Sequence, residues 1–198
     1  MHPDAERLFA LDADLRREAD YLLAQSGIGS ILRAHGLSAT GSYIMRTMTW
    51  RDLDFEAYKK LDQASCWKLG EEIANSPWTF HAQFEDNHRT GYLGFYWGFL
   101  IADPSLFGPV QRGNPLVWKL DAWSFPVAHR ANNDLERRAL WQSLLDDESR
   151  ACVVAIKEVL CHDDRYCKSL FSVDIYEAVL EQGIRDLEAF EQWFAERQ

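Results

Sequence analysis

Hydrophobic residues recur along the first part of this chain at the spacing of a helix. Residues 4–25 place leucine and alanine side chains three or four positions apart, which predicts an amphipathic helix that begins near Pro3 and Asp4. A second, short helix is expected to run to His35. Gly36 is expected to end it, because glycine readily adopts the left-handed conformation found just beyond a helix.

The spacing changes from helical to alternating after residue 36. In residues 51–58, polar and apolar side chains alternate with a period of two, which is typical of a strand with one buried face. Residues 103–115 hold three prolines and two glycines, which predicts a loop. The other expected elements here are a strand at 37–44 that runs into a turn at Gly41 and Ser42, a helix at 61–75, and strands at 78–84, 91–102 and 116–125.

Helical spacing returns after Pro126 and continues to the end of the chain. The expected helices are one from Asn133 or Asp134 to Leu145, one at 147–161, one at 172–182 with Ser172 as N-cap and Gly183 beyond its end, and one from Ile184 onward. This order of elements predicts an α+β fold, with a mixed sheet of about five strands, flanking helices and a C-terminal helical lobe. We expect an α/β domain at 1–128 and a helical lobe at 129–198 packed on it.

The charge balance narrows the classes of function. The 198 residues carry a formal net charge of −10, and most of the excess acidic charge falls in residues 131–198. A general nucleic-acid binder needs a basic surface, so nucleic acid is not an expected partner. Nucleotides remain compatible with this charge, because Mg²⁺ can bridge carboxylates to phosphates.

The first residues lack the pattern of a signal peptide, so none is expected, and no apolar stretch of the sequence is long enough to span a membrane. Its four cysteines lack C-x-x-C spacing, which suits reduced thiols. We therefore expect a cytoplasmic protein with no membrane partner, and a homo-oligomer is compatible with the sequence.

The candidate chemistry lies in carboxylates on the predicted strands. Asp52 and Asp54 are two residues apart, so on a strand they share a face, where they repel each other unless a divalent cation lies between them. The preceding Gly41 and Ser42 offer backbone N–H groups and a hydroxyl to phosphate. Asp121 lies in a strand that is otherwise apolar, where a carboxylate needs a partner. If its strand lies beside that of Asp52 and Asp54, the three carboxylates form a two-metal site.

This segment resembles the signature of the nucleotidyltransferase superfamily, which has the DNA polymerase beta-like fold. That signature is a hydrophobic residue, Gly and Gly or Ser, a spacer, and then two carboxylates separated by a hydrophobic residue. Here Gly41 and Ser42 supply the first part, 43–51 the spacer, and Asp52-Leu53-Asp54 the second. Thr40 departs from the pattern, since the family usually has an aliphatic residue there. Asp121 best matches the family's third carboxylate.

The resemblance implies a Mg²⁺-dependent enzyme that moves a nucleoside monophosphate from a nucleoside triphosphate, such as ATP, to an acceptor hydroxyl and releases pyrophosphate. Asp52, Asp54 and Asp121 would be its catalytic residues and would hold two Mg²⁺ ions, with Asp121 also activating the acceptor. Gly41 and Ser42 would bind the phosphates. The size and the helical lobe resemble small-substrate, antibiotic-modifying members, so a small acceptor is expected.

Other residues have two interpretations from the sequence. Arg46 is a candidate nucleotide ligand or a solvated loop arginine, and Lys119 either contacts the nucleotide or carboxylates, or forms a structural ion pair. The aromatic residues of the predicted strands are Tyr92, Tyr96, Trp97, Trp118 and Trp123. Most of them are expected in the core, and one or two are expected to be free to stack on a base or acceptor ring.

The sequence leaves two alternatives to the enzyme open. One is a non-catalytic protein of the same fold, antitoxin-like or partner-binding. The other is an unrelated α/β module with a fortuitous motif. The fortuitous motif is excluded only if Asp121 lies within about 8 Å of Asp52 and Asp54, because two paired metal ions cannot bridge carboxylates that are farther apart.

Overall fold

The computed structural model describes residues 2–57, 61–87, 94–106, 116–125 and 131–197, with the backbone alone for 131–135. The described helices are α1 (Ala5–Gln25), α2 (Ile28–Ala34), α3 (Gly41–Met45), α4 (Gln63–Ala74), α5 (Ala131–Leu144), α6 (Asp147–Leu160), α7 (Ser172–Tyr176) and α8 (Leu187–Ala195). The described strands are β1 (Ser38–Thr40), β2 (Asp52–Ala57), β3 (Thr79–Asp86), β4 (Phe95–Ile101) and β5 (Trp118–Ser124). None of the described helices is both long and apolar enough to cross a membrane.

The five strands form one mixed sheet in the order β1-β2-β5-β4-β3. Strands β2 and β5 are parallel, and every other neighbouring pair is antiparallel. The predicted α+β fold with a five-stranded mixed sheet is therefore confirmed. The parallel pair matters most for function, because it places the strand of Asp52 and Asp54 directly beside the strand of Asp121.

Alternation along the strands gives the sheet two faces of different chemistry. We call one the packed face; its residues on the three central strands include Leu53, Phe55, Trp97, Phe99, Leu120 and Ala122, all at most 7% exposed. We call the other the site face; on the same strands it carries Asp52, Asp54, Glu56, Tyr96, Gly98, Leu100, Lys119, Asp121 and Trp123. The strand register places these nine residues in three rows that run across the sheet.

Helix α4 packs on the packed face through an unusually close contact. A Cβ atom at Gly70 would lie 2.2 Å from Cζ2 of Trp97, so only glycine leaves room for the indole ring. The indole N–H of Trp97 donates a hydrogen bond to the carbonyl of Cys66, at 3.0 Å. The N-cap of the helix is Asp62, whose carboxylate accepts a hydrogen bond from the Ser65 amide, at 2.7 Å. These contacts fix α4 against the sheet.

The chain divides into two compact units. The first comprises Met1–Leu15, Arg46–Trp50 and Glu136–Gln198, and the second comprises Arg16–Met45 and Arg51–Leu135. The second unit contains the sheet. The predicted boundary between residues 128 and 129 remains a prediction.

The first unit, which we call the helical unit, has its own apolar core and a buried lysine. Leu8 packs against Val154 of α6, while Arg7 and Glu158 form an ion pair at 2.7 Å. Lys157 is 2% exposed, and its ammonium donates to the carbonyl of Thr47, at 3.1 Å. This hydrogen bond ties α6 to the Arg46–Trp50 segment of the same unit.

The structure corrects several predicted boundaries. The strand expected at 37–44 ends at Thr40, because Gly41 adopts a φ of +62° and begins α3. The helix expected from Asn133 or Asp134 begins earlier, at Ala131. The strand expected at 91–102 is described from Phe95 onward, and residues 91–93 lie outside the described part.

Near the C-terminus, α7 begins at Ser172 as predicted, but its predicted N-cap and the predicted start of the last helix are wrong. The N-cap position before α7 is Phe171 rather than Ser172; the Phe171 amide donates to the Asp174 carboxylate, at 2.8 Å. The last helix begins at Leu187 rather than Ile184, because Asp186 caps it by accepting a hydrogen bond from the Ala189 amide. In both places a side chain that satisfies free amides decides the boundary, and the hydrophobic spacing does not.

Candidate active site

The three predicted carboxylates meet on the site face of the sheet. The parallel pairing sets Asp54 opposite Asp121 and Asp52 opposite Lys119. One oxygen from each of Asp52, Asp54 and Asp121 lies within 4.8 Å of the other two. This separation is well inside the limit set above, so the proximity that a shared metal site requires is present.

Gly41 lies directly against Asp54. Its φ of +62° is in the left-handed region that favours glycine. A Cβ atom at this position would lie 2.4 Å from Oδ2 of Asp54, so any larger residue would collide with the carboxylate. The glycine of the motif is therefore required by the fold itself, because it lets the start of α3 approach the carboxylate. Ser42 follows it in α3 and is partly exposed.

Lys119 lies between two of the carboxylates. Its ammonium donates to Oδ2 of Asp121, at 2.5 Å, and to Oδ1 of Asp52, at 3.3 Å. Burial lowers the pKa of Lys119, but the charges of Asp52 and Asp121 outweigh burial and leave that pKa raised. The lysine is therefore a permanent cation inside the cluster. These ion pairs are compatible with both interpretations of Lys119 from the sequence, so its role as a nucleotide ligand remains a prediction.

Tyr96 holds Asp121 from the side opposite to Lys119. Its hydroxyl donates to Oδ1 of Asp121, at 2.9 Å. The ring reaches the carboxylate by crossing Gly98, where a Cβ atom would lie 2.4 Å from the tyrosine oxygen. Burial and then the charge of Asp121 raise the pKa of Tyr96, so the hydroxyl stays protonated and stays a donor. From the sequence, Tyr96 was predicted only as an aromatic residue of a strand. Its hydrogen bond to Asp121 could not be predicted, because it depends on the register between the two neighbouring strands that carry these residues.

Asp54 carries the unfavourable charge of the cluster. Its pKa is raised well above the ordinary value, first by burial and then by the negative charges of Asp52 and Asp121. Lys119 offsets part of this effect. Without a further cation, the cluster therefore favours a proton on Asp54.

The residues present suit a divalent metal ion. Carboxylate oxygens are the ligands that Mg²⁺ prefers, and three of them converge here from two adjacent strands. A bound cation would also relieve the repulsion that raises the pKa of Asp54. The cluster can thus hold a divalent ion, while the metal-ligand and catalytic roles of Asp52, Asp54 and Asp121 remain predictions.

The remaining predicted residues divide between the two units and the undescribed part. Arg46 is exposed, has a φ of 58° and belongs to the helical unit, so its role as a nucleotide ligand remains a prediction. Trp97 and Trp118 are buried, as expected of core residues. Tyr96 and Trp123 lie half-buried on the site face, with ring centroids 4.5 Å apart. Tyr92 lies outside the described residues.

The mixed five-stranded sheet with its flanking helices is a nucleotidyltransferase-like fold. Among solved structures, the chain is similar to Cid1 in complex with its short product ApU, with a TM-score of 0.53 and 13% sequence identity. The similarity covers 90% of this chain and 53% of that chain, so this chain spans about half the length of the structure it matches. At this identity the likeness establishes the fold alone. No protein-family model and no curated protein matches the sequence.

Proposed function

We propose that this protein is a Mg²⁺-dependent nucleotidyltransferase. The observation that carries the proposal is the convergence of Asp52, Asp54 and Asp121 within 4.8 Å on the site face of a nucleotidyltransferase-like fold. Fold alone does not define an activity, whereas fold together with a matching constellation of side chains supports one. The glycine that lies against Asp54 adds a second feature of the same motif.

The proposed reaction transfers a nucleoside monophosphate to a hydroxyl group. The acceptor oxygen forms a bond to the α-phosphorus of a nucleoside triphosphate, the bond from that phosphorus to the bridging oxygen breaks, and pyrophosphate leaves. Asp52 and Asp54 hold Mg²⁺, which when bound neutralises charge on the phosphates. Asp121 takes the proton of the acceptor hydroxyl, since each of its oxygens keeps a lone pair beside the bonds from Tyr96 and Lys119. Gly41 and Ser42, at the start of α3, bind the terminal phosphates.

We further propose that the acceptor is a small molecule. The formal net charge of −10 disfavours a long polyanion, and four carboxylates lie on the site face, Glu56 among them, within its three central strands. The Cid1 complex contains the short product ApU, so a ribonucleotide hydroxyl is the second acceptor class to screen.

The first test is calorimetric binding of ATP, GTP, CTP and UTP with Mg²⁺ and with EDTA. The wild-type protein should bind at least one of them only with Mg²⁺, and the double variant Asp52→Asn/Asp54→Asn should lose this binding. Glu71→Gln is the matched control, because it removes a carboxylate charge from an exposed position on α4. A triphosphate that binds should then release pyrophosphate when the correct acceptor is added.

The same calorimetric experiment can also contradict the proposed function. If the wild-type protein binds none of the four triphosphates, with or without candidate acceptors, the enzyme proposal fails. The non-catalytic alternative, a partner-binding protein of the same fold, would then account for the structure. Equal binding by the double variant would instead place the nucleotide away from the carboxylates.

A further inference from the structure

We propose that the ammonium group of Lys119 occupies one of two cation positions in the carboxylate cluster, so that the chain binds one divalent ion fewer than its three carboxylates alone would hold. This inference rests on the proposed function, since it concerns the same site. It replaces the two-metal arrangement predicted from the sequence with one metal ion and one lysine.

The position of the ammonium group is the first argument. Nζ of Lys119 contacts Asp52 at 3.3 Å and Asp121 at 2.5 Å, so it bridges carboxylates from both strands. A metal ion held by Asp52 and Asp121 together would lie in the same gap between the two carboxylates as the ammonium group. The lysine and such an ion therefore compete for one position. The oxygens of Asp54 and of the other two carboxylates approach within 4.8 Å of one another, which makes Asp54 the focus of a second position.

The side chain is held in this position by its own strand and by Tyr96. Lys119 and Asp121 are two residues apart on β5, so they share the site face. Tyr96 fixes the other oxygen of Asp121 and thereby orients the carboxylate toward the lysine. The ammonium group would have to leave two carboxylates at once to admit a metal ion there. Asp121 and Tyr96 thus act as positioning residues for the lysine.

Charge balance is the second argument. The three carboxylates that converge within 4.8 Å, a group that does not include Glu56, carry three negative charges, and the Lys119 ammonium removes one. One divalent ion neutralises the remainder, whereas two divalent ions together with the lysine would leave an excess of positive charge in a partly buried site. The lysine therefore makes a single divalent ion the balanced occupant of the protein before nucleotide binds.

The test counts Mn²⁺ ions bound per chain by electron paramagnetic resonance, on protein without nucleotide. Lys119→Met removes the charge and keeps most of the side-chain length, and it should bind one more Mn²⁺ than the wild-type protein. Lys119→Arg keeps the charge and should leave the number unchanged. Lys68→Met, at an exposed position on α4, is the matched control and should also leave it unchanged.

Two further variants keep the result interpretable. Lys119→Gln replaces Lys119→Met if the latter does not fold, as judged by circular dichroism. Adding Asp121→Asn to the lysine variant should abolish the extra ion, because it removes the oxygen that Lys119 had occupied.

The proposal is overturned if removal of the lysine charge leaves the number of bound Mn²⁺ unchanged, even where the affinity rises. Lys119 would then only adjust the charge of the cluster. If the number of bound Mn²⁺ ions is unchanged in the Lys119 variant while Mg²⁺-dependent triphosphate binding is intact, this inference is overturned and the proposed function is not. An extra ion in a protein that binds no triphosphate supports the inference and overturns the proposed function.

Discussion

Neighbouring residues of β5 belong to opposite faces of the sheet and do opposite things. Leu120 and Ala122 are at most 2% exposed and lie in the packed face. Lys119 precedes Leu120, and Asp121 lies between Leu120 and Ala122. Both Lys119 and Asp121 are on the site face, where they form an ion pair. The packed face stabilises the fold by removing apolar area from water. The site face concentrates like charges, which disfavours folding and creates a place for a cation.

The comparison teaches that stability and function are separable along a single strand. A change on the packed face should lower stability directly and activity only as a consequence. A change on the site face should lower activity at little cost to stability. Substitutions on each face can test this separation.

The largest effect is expected from Asp54→Asn. Because the proposed function assigns Asp54 to the metal ion, loss of its charge should lower the rate of pyrophosphate release by about 10³-fold, or roughly 4 kcal/mol of transition-state stabilisation. The midpoint of thermal unfolding should not fall, because the substitution removes a buried and repelled charge. Steady-state kinetics and calorimetry measure the two quantities, with Glu71→Gln as the control. A fall in thermal midpoint that accompanies the loss of rate would show that the two faces are not separable.

The next effect is expected from Phe99→Ala on the packed face of β4. Phe99 is 1% exposed, so its truncation should lower the free energy of unfolding by about 3–5 kcal/mol. Its neighbour Leu100 is half-buried on the site face, and Leu100→Ala should lower the same quantity by only about 1 kcal/mol. Denaturant unfolding of both variants checks the prediction. Equal losses would mean that the site face contributes as much to the core as the packed face.

A pair of glycines gives a smaller and more pointed contrast. At Gly70 an alanine would collide with Trp97, and overpacking should destabilise the fold by about 1–3 kcal/mol. At Gly98 an alanine would displace the Tyr96 hydroxyl from Asp121 and remove a hydrogen bond of about 1 kcal/mol, which lowers the rate of transfer by roughly fivefold.

The two glycine variants should therefore differ in which property they change. Gly70→Ala should shift the unfolding midpoint and leave the rate per folded molecule unchanged, while Gly98→Ala should lower the rate. Tyr96→Phe should reproduce the loss of rate in Gly98→Ala. The contrast is contradicted if Tyr96→Phe retains the full rate while Gly98→Ala does not, since the loss would then arise from backbone distortion.

The smallest effect concerns pH and involves Asp54 in metal-free protein. Its raised pKa means that the folded chain binds this proton more tightly than the unfolded chain does. The stability contributed by this proton is complete below the ordinary aspartate pKa, roughly 4, and is lost as pH rises through the higher pKa of the folded state. The difference in thermal midpoint between Asp54→Asn and the wild-type protein should therefore grow with pH across this window.

Thermal unfolding in EDTA at a series of pH values measures this difference. Added Mg²⁺ should reduce it, because a bound cation replaces the proton in offsetting the charge of Asp54. A difference that is constant with pH would show that Asp54 is ionised throughout, and that Lys119 alone is a sufficient counter-ion.

Much of the fold could be predicted from the spacing of side chains. The alternation in 51–58 predicted β2, and the apolar spacing in 4–25 predicted α1 to within a residue. The errors at two helix ends share a cause. The N-cap of α7 and the start of α8 are set by Asp174 and Asp186, whose carboxylates bind free amides. Hydrogen bonds of this kind override hydrophobic spacing at helix ends, where few apolar contacts exist.

Less of the candidate site could be predicted. The motif indicated Asp52 and Asp54, and the charge of Asp121 in an apolar strand marked it as a residue that needs a partner. The contact of Lys119 with Asp121 could be predicted, because the two residues share one face of one strand. The contacts of Tyr96 with Asp121 and of Lys119 with Asp52 were not predicted, because they depend on the register between neighbouring strands. The same register explains Gly98, whose conformation alone gives no reason for glycine.

The sequence by itself determined which residues alternate on each strand, and so which side chains share a face. That information is local, since it follows from the pleat of an extended chain. Only the tertiary structure decided that β5 pairs with β2, that Gly41 lies against Asp54, and that the Lys119 ammonium bridges two carboxylates. Pairing between distant strands is set by packing of the whole sheet, and the charges of a site interact only after that packing brings them together.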